Sequence, residues 1–145
     1  MRRLLLLLAL IAAGPAGAQE FGANPAPKVM MCRLQDESGN GWVPEFLMLT
    51  RQISGPHSGR IEVFDPILQR LVRHPVPAAV TADDSAARSY GWALSGVRNQ
   101  SGQYAARLDY RLTVRKADGQ AWLTARAQGY ENTMQGNGRC MTPES

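Results

Sequence analysis

The sequence predicts an all-β domain: an antiparallel meander that closes into a small up-and-down barrel, with a two-sheet β-sandwich as the alternative. Short apolar segments follow one another at near-regular spacing, with turn residues between them and no long helical period. Residues 107–115 alternate polar and apolar side chains, which is the period of a half-buried strand. Cys32 and Cys140 lie near the two ends of the domain, and a disulfide between them would tie the N- and C-terminal segments together. Closure of the sheet would also remove exposed strand edges.

Residues 1–18 are typical of an export signal that is removed from the working protein. Two arginines precede an apolar run over residues 4–13, and an A-x-A cleavage site ends at Ala18. The apolar run is shorter than the roughly 20 residues that a membrane-spanning helix needs. We therefore expect a chain that begins near Gln19, does not span a membrane and works in the periplasm or outside the cell.

Cleavage of the signal peptide changes the net charge of the protein and leaves one domain after a short linker. Two of the 16 Lys and Arg residues are lost, which leaves 14 against 12 acidic residues and a net charge of +2. This surplus is too small for the dense basic patch of a nucleic-acid-binding protein. The predicted organisation is a signal peptide over 1–18, an extended linker over 19–28 and a single β domain over 29–145, which we expect to be a monomer.

The first half of the domain contains short apolar runs that are broken by polar turns. Asp65-Pro66 interrupts a strand, and two prolines keep the segment after residue 74 extended. The predicted elements are a strand over 29–35, an apolar run over 42–51, a strand over 60–64, a short strand or helical turn over 67–73 and an extended segment over 75–81.

The second half contains longer strands. The predicted elements are a strand over 90–97, a turn over 98–103, a hairpin whose strands cover 107–115 and 121–128, and a bend at 136–138 before Cys140.

Asp118-Gly119 is the strongest turn signal in the chain and sets the predicted register of the hairpin. A loop of two or four residues centred on this pair keeps large and small apolar residues on one face. A three-residue loop would turn Arg126 into the core, where an unpaired charge costs several kcal/mol. The predicted cross-strand pairs are Val114 with Leu123, Leu112 with Ala125, Tyr110 with Ala127 and Leu108 with Gly129.

The outer face of this hairpin is rich in arginine and forms the candidate interaction face. In the predicted register Arg115 lies across from Trp122, as a cation–π pair, and Arg111 lies across from Arg126, as a like-charge pair. Two interpretations are open: a solvated basic face, or a docking surface for an anionic envelope component or partner protein. The candidate residues are Arg107, Arg111, Arg115, Trp122 and Arg126.

Four aromatic residues, Trp42, Tyr90, Trp92 and Tyr110, are the candidate lining of a ligand-binding mouth. They either interdigitate with small residues in a filled barrel or surround a small apolar cavity at its mouth. In the second case the protein would carry a small apolar ligand.

The sequence offers little for catalysis or for holding a metal or cofactor. His57 and His74 are the only histidines; their spacing fits no zinc motif, neither is flanked by an acidic residue, and Ser58 beside His57 lies in no Gly-x-Ser-x-Gly elbow. We therefore predict no catalytic residues, no metal and no cofactor, and a protein that is not an enzyme, with an envelope hydrolase that uses His57 as the remaining alternative. The cysteines are predicted to form a disulfide because their number is even and the compartment is oxidising, and their spacing matches no metal-binding motif.

Ser101-Gly102-Gln103-Tyr104 resembles the Ser-Gly-x-x-Tyr loop of the periplasmic inhibitors of c-type lysozyme, with one residue fewer between Gly102 and Tyr104. That family consists of small, exported, disulfide-bearing β-barrels, and the resemblance covers four residues. The function predicted from the residues is an exported, non-enzymatic binding module of the bacterial envelope. The alternatives are a carrier of a small apolar ligand and, from the resemblance, a lysozyme-type enzyme inhibitor.

Overall fold

Eight antiparallel strands, each paired with its neighbours in sequence order, close into one barrel because β1 pairs with both β2 and β8. The computed structural model describes residues 25–142, so the predicted signal peptide and most of the predicted linker lie outside the described residues. The predicted barrel is confirmed over the predicted sandwich. The elements are β1 (Lys28–Asp36), β2 (Phe46–Arg51), β3 (Ile61–Phe64), α1 (Pro66–Leu71), β4 (Val76–Asp83), β5 (Ala87–Arg98), β6 (Tyr104–Arg115), β7 (Gln120–Ala127) and β8 (Thr133–Met141).

Where the barrel closes, β1 and β8 are joined by the disulfide and approach each other closely at a glycine. The predicted bond between Cys32 and Cys140 is present, and the two residues lie directly opposite each other with their Cα atoms 3.9 Å apart. The predicted bend at 136–138 is wrong, because these residues continue β8. A β-carbon at Gly138 would lie 1.9 Å from the carbonyl oxygen of Arg33. Glycine is used here for the close approach of two strands rather than for a turn.

The predicted hairpin register is wrong by two residues. The observed pairs are Val114 with Ala121, Leu112 with Leu123, Tyr110 with Ala125 and Leu108 with Ala127. A slip of two residues keeps every side chain on its predicted face, which is why the hydrophobic pattern could not distinguish the registers. The loop is centred one residue earlier than predicted, and the Gly119 amide donates to the Arg115 carbonyl at 2.9 Å.

The segment after β3 forms a helical turn, which was one of the two predicted alternatives. Asp65 caps α1, because its carboxylate accepts from the amides of Ile67 at 2.7 Å and Leu68 at 2.9 Å. Pro66 occupies the first turn, where its missing amide hydrogen is not needed. Ile67 and Leu68 are both buried.

The two ends of the barrel differ. At one end, which we call the cap end, Trp42 and Val43 from the loop after β1 and Leu68 from α1 are buried in the hydrophobic core. The predicted apolar run over 42–51 is therefore divided between this loop and β2, which begins at Phe46. The barrel centre is filled by side chains without exposed area, among them Leu47, Leu108, Leu112 and Leu123.

At the opposite end, which we call the mouth, Lys28, Arg51 and Arg88 surround an opening. In the part of the chain that the structure describes, no helix is long and apolar enough to cross a membrane.

Candidate functional site

The five residues of the candidate interaction face lie together on the outer side of β6 and β7. All are exposed, and the Trp122 side chain keeps 40% of its surface accessible. The Arg115 guanidinium lies 5.8 Å from the centre of the Trp122 ring. Trp122 is opposite Thr113 rather than Arg115, so this cation–π contact runs diagonally across the two strands.

Two of the four arginines in this face form ion pairs within the protein. Arg107 contacts Asp109 at 2.8 Å, and Arg115 contacts Asp118 at 2.6 Å. The Arg115 guanidinium holds the pKa of the Asp118 carboxyl well below its ordinary value.

The other two arginines, Arg111 and Arg126, form no ion pair within residues 25–142. Arg111 is opposite Thr124, and Arg126 is opposite Asp109, so the predicted like-charge pair does not form. Arg126 is instead the diagonal neighbour of Arg111, a separation of about 7–8 Å in an antiparallel sheet.

The basic surface is wider than the sequence indicated. Arg139 on β8 pairs with Gln120 on one side and with Arg33 of β1 on the other, and both arginines are exposed. The predicted bend at 136–138 hid this neighbourhood, because it removed Arg139 from the sheet. Glu37, Asp109 and Asp118 are among the acidic residues near six exposed arginines that lie on the consecutive strands β6, β7, β8 and β1: Arg33, Arg107, Arg111, Arg115, Arg126 and Arg139.

The four aromatic residues predicted to line a mouth do not lie together at an opening. Trp42, Trp92 and Tyr110 are buried, and the Trp92 and Tyr110 rings stack with their centres 5.2 Å apart. The Tyr110 hydroxyl donates to the carbonyl of Trp42 at 2.8 Å, and burial raises the pKa of that hydroxyl. Tyr90 alone is partly exposed, and it lines the mouth.

A groove at the cap end contains the loop that resembles the lysozyme inhibitors. Its sides carry Tyr104, which is 51% exposed, and Tyr130, which is 60% exposed, around a space of about 290 Å³. Sequence reasoning placed both tyrosines near strand ends but gave them no role.

Asn99 holds this loop in shape. Its side-chain oxygen accepts from the Gln103 amide at 2.9 Å and from the Ser101 hydroxyl at 2.8 Å, and its amide group donates to the Asn40 carbonyl at 3.1 Å. Arg98 lies 5.1 Å from the centre of the Tyr104 ring and orients it. The loop is therefore pre-formed, which reduces the entropy lost on binding.

The histidines do not form a site. His57 lies in an exposed loop, and the His74 ring nitrogen Nδ1 lies 2.8 Å from the carbonyl oxygen of Pro75. Over the described range, no three His, Cys, Asp or Glu side chains come together in an arrangement that could hold a metal ion.

Comparisons with family models, with curated proteins and with solved structures found no match to this chain. Its function must therefore be inferred from the geometry of its surfaces.

Proposed function

We propose that this protein is an exported, non-enzymatic interaction module of the bacterial envelope, and that its basic side binds an acidic surface of a partner protein. The predicted export signal and the disulfide support the compartment, since disulfides persist in oxidising environments. The closed barrel supports the class of function, because it presents side chains on a frame without free strand edges.

The observation that carries this proposal is the pair Arg111 and Arg126. They are diagonal neighbours on adjacent strands, are exposed and lack an ion pair among the described residues, so their guanidinium groups are free to bind carboxylates. Arginine forms bidentate hydrogen bonds with carboxylates, and Arg and Trp are enriched among the residues that dominate binding energy in protein interfaces. Trp122 supplies the aromatic contact in the same face.

A matched pair of variants tests the proposal. Arg111→Ser with Arg126→Ser removes two charges from the basic side, whereas Arg60→Ser with Arg70→Ser removes two from exposed positions in the loop before β3 and on α1. We expect affinity capture from envelope extract to retain a partner protein in a salt-dependent manner. The first double variant should weaken retention at least tenfold, and the second should leave it unchanged.

Retention of the same protein by both variants at all salt concentrations would contradict the proposal. Retention of an anionic glycan instead of a protein would contradict the proposal that the partner is a protein.

A second candidate function, inhibition of a lysozyme-type enzyme, is favoured by the pre-formed loop at the cap end. Its test is inhibition of c-type lysozyme by the protein and loss of that inhibition on Tyr104→Ser. The carrier alternative has less support, because three of the four aromatic residues assigned to it pack in the core.

A further inference from the structure

The mouth brings together three basic residues from three strands. Lys28 on β1 lies directly opposite Arg51 on β2, and Arg51 lies opposite Ile61 on β3. Arg88 on β5 lies opposite Val114, whose side chain is buried inside the barrel. All three basic residues line one cavity of about 200 Å³.

The floor of this cavity is apolar. Met30, Leu49 and Ile61 occupy the inward positions next to the basic residues, and Tyr90 forms part of the wall. β3 pairs with β4 only as far as Ala78, so the last part of β4 extends beyond β3 and leaves the mouth open on that side. A ligand that enters there meets charge first and an apolar surface behind it.

The basic groups of the mouth are only partly neutralised by acidic side chains of residues 25–142. Asp83 contacts Arg88 at 2.7 Å and Lys116 at 2.7 Å, so one negative charge is shared between two positive ones. Lys28 and Arg51 form no ion pair with any residue of the described chain.

Arg88 also has an unused hydrogen-bond donor. Its Nε atom has no accessible surface and contacts no acceptor in the part of the molecule described. A buried donor without a partner is destabilising, and so are like charges that lie directly opposite each other in a sheet, as Lys28 and Arg51 do. An anion bound between these residues would relieve the charge repulsion.

We propose that the mouth is a binding site for a small amphiphilic anion, specifically a medium-chain carboxylate. Its carboxylate group binds among Lys28, Arg51 and Arg88, and its hydrocarbon chain lies on Met30, Leu49 and Ile61. The cavity is smaller than the roughly 300 Å³ at which pockets for drug-sized ligands begin, which favours a medium-chain over a long-chain carboxylate.

Titration calorimetry on the oxidised protein with three probes distinguishes the contribution of the basic residues from that of the apolar floor. Octanoate has both the charge and the chain, acetate has only the charge, and octan-1-ol has only the chain. We expect octanoate to bind at least tenfold more tightly than either of the other two. Equal binding of acetate or of octan-1-ol would overturn the proposal, since it would show that the apolar floor or the basic groups contribute nothing.

Octanoate binding by two double variants tests whether the ligand binds at the mouth. Lys28→Gln with Arg51→Gln removes two charges without disturbing the contact between Asp83 and Arg88, and should weaken octanoate binding at least tenfold while the protein remains folded. Arg111→Ser with Arg126→Ser, on the basic side, should leave octanoate binding unchanged, so this proposal and the proposed function fail independently. Unchanged octanoate binding in the mouth variant would overturn the proposal.

Discussion

Asp83, at the mouth, is a single residue that makes the stability of the fold depend on pH. Its carboxylate accepts a hydrogen bond from Arg88 and contacts Lys116, and these two cations lower its pKa from 3.8 to about 2. A carboxyl whose pKa is lower in the folded state than in the unfolded state stabilises the fold at a pH above the unfolded value. That contribution is lost as the pH falls through the folded value.

Asp83→Asn is therefore expected to lower the melting temperature at pH 7. The difference in melting temperature between this variant and the unsubstituted protein should shrink as the pH falls from about 4 to about 2, and it should disappear below that range. Thermal unfolding followed by circular dichroism at five or six pH values measures this. Glu131→Gln removes a carboxylate at an exposed loop position that forms no ion pair among residues 25–142, and as the control it should leave the melting temperature at pH 7 unchanged. A difference for Asp83→Asn that stays constant from pH 7 to pH 1.5 would contradict the prediction.

The hairpin of β6 and β7 shows, at the scale of an element, which part of the fold the sequence could specify. Alternation along residues 107–115 placed Leu112 and Tyr110 inside and Arg111 outside, and the structure agrees. The register could not be obtained in this way, since shifts of two residues preserve the faces. It depends instead on where the turn forms, which the conformation of Gly119 decides.

Gly119 is required for two separate reasons. Its φ of +74° lies in the left-handed region, and a β-carbon there would lie 2.2 Å from the carbonyl oxygen of Cys140. Gly102 has a similar φ of +83°, but a β-carbon there would meet no atom within 4 Å. The two residues thus share the backbone conformation and differ in the space around them.

Gly102→Ala should lower the free energy of unfolding by about 1–2 kcal/mol, the cost of a left-handed conformation for a residue with a β-carbon. Gly119→Ala should lower it by clearly more, because the turn must also move away from β8. Urea unfolding of the two variants, under identical conditions, makes the comparison. Equal losses would show that the turn and β8 are not packed against each other as described.

At the scale of the whole molecule, the pattern of short strands and two distant cysteines was enough to predict a closed barrel, but not the sites it creates. Lys28, Arg51 and Arg88 are far apart in the chain and meet only because β1, β2 and β5 end at the same rim. Trp42 was predicted to lie at a mouth, yet the loop after β1 folds it into the cap end. Sites that depend on long-range strand pairing are not visible in local periodicity.

The disulfide is expected to contribute a large part of the stability of this barrel. It joins residues 108 positions apart, and in the chain-entropy model a loop of about 100 residues corresponds to roughly 4.7 kcal/mol. Small domains are stable by only about 5–15 kcal/mol, so loss of the bond should remove a large fraction of the total. The six residue pairs between β1 and β8 would then have to close the barrel without a covalent link.

Cys32→Ala with Cys140→Ala should therefore lower the free energy of unfolding by about 4–5 kcal/mol in urea titrations. Both positions are buried, so the cavities that alanine leaves would add to the loss that comes from the missing bond. Reduction of the unsubstituted protein by a thiol is the control, because it breaks the bond and keeps both sulfur atoms in the core. A loss below about 1 kcal/mol on reduction would show that strand pairing between β1 and β8 closes the barrel without the bond, since the chain-entropy model assigns several kcal/mol to a loop of this length.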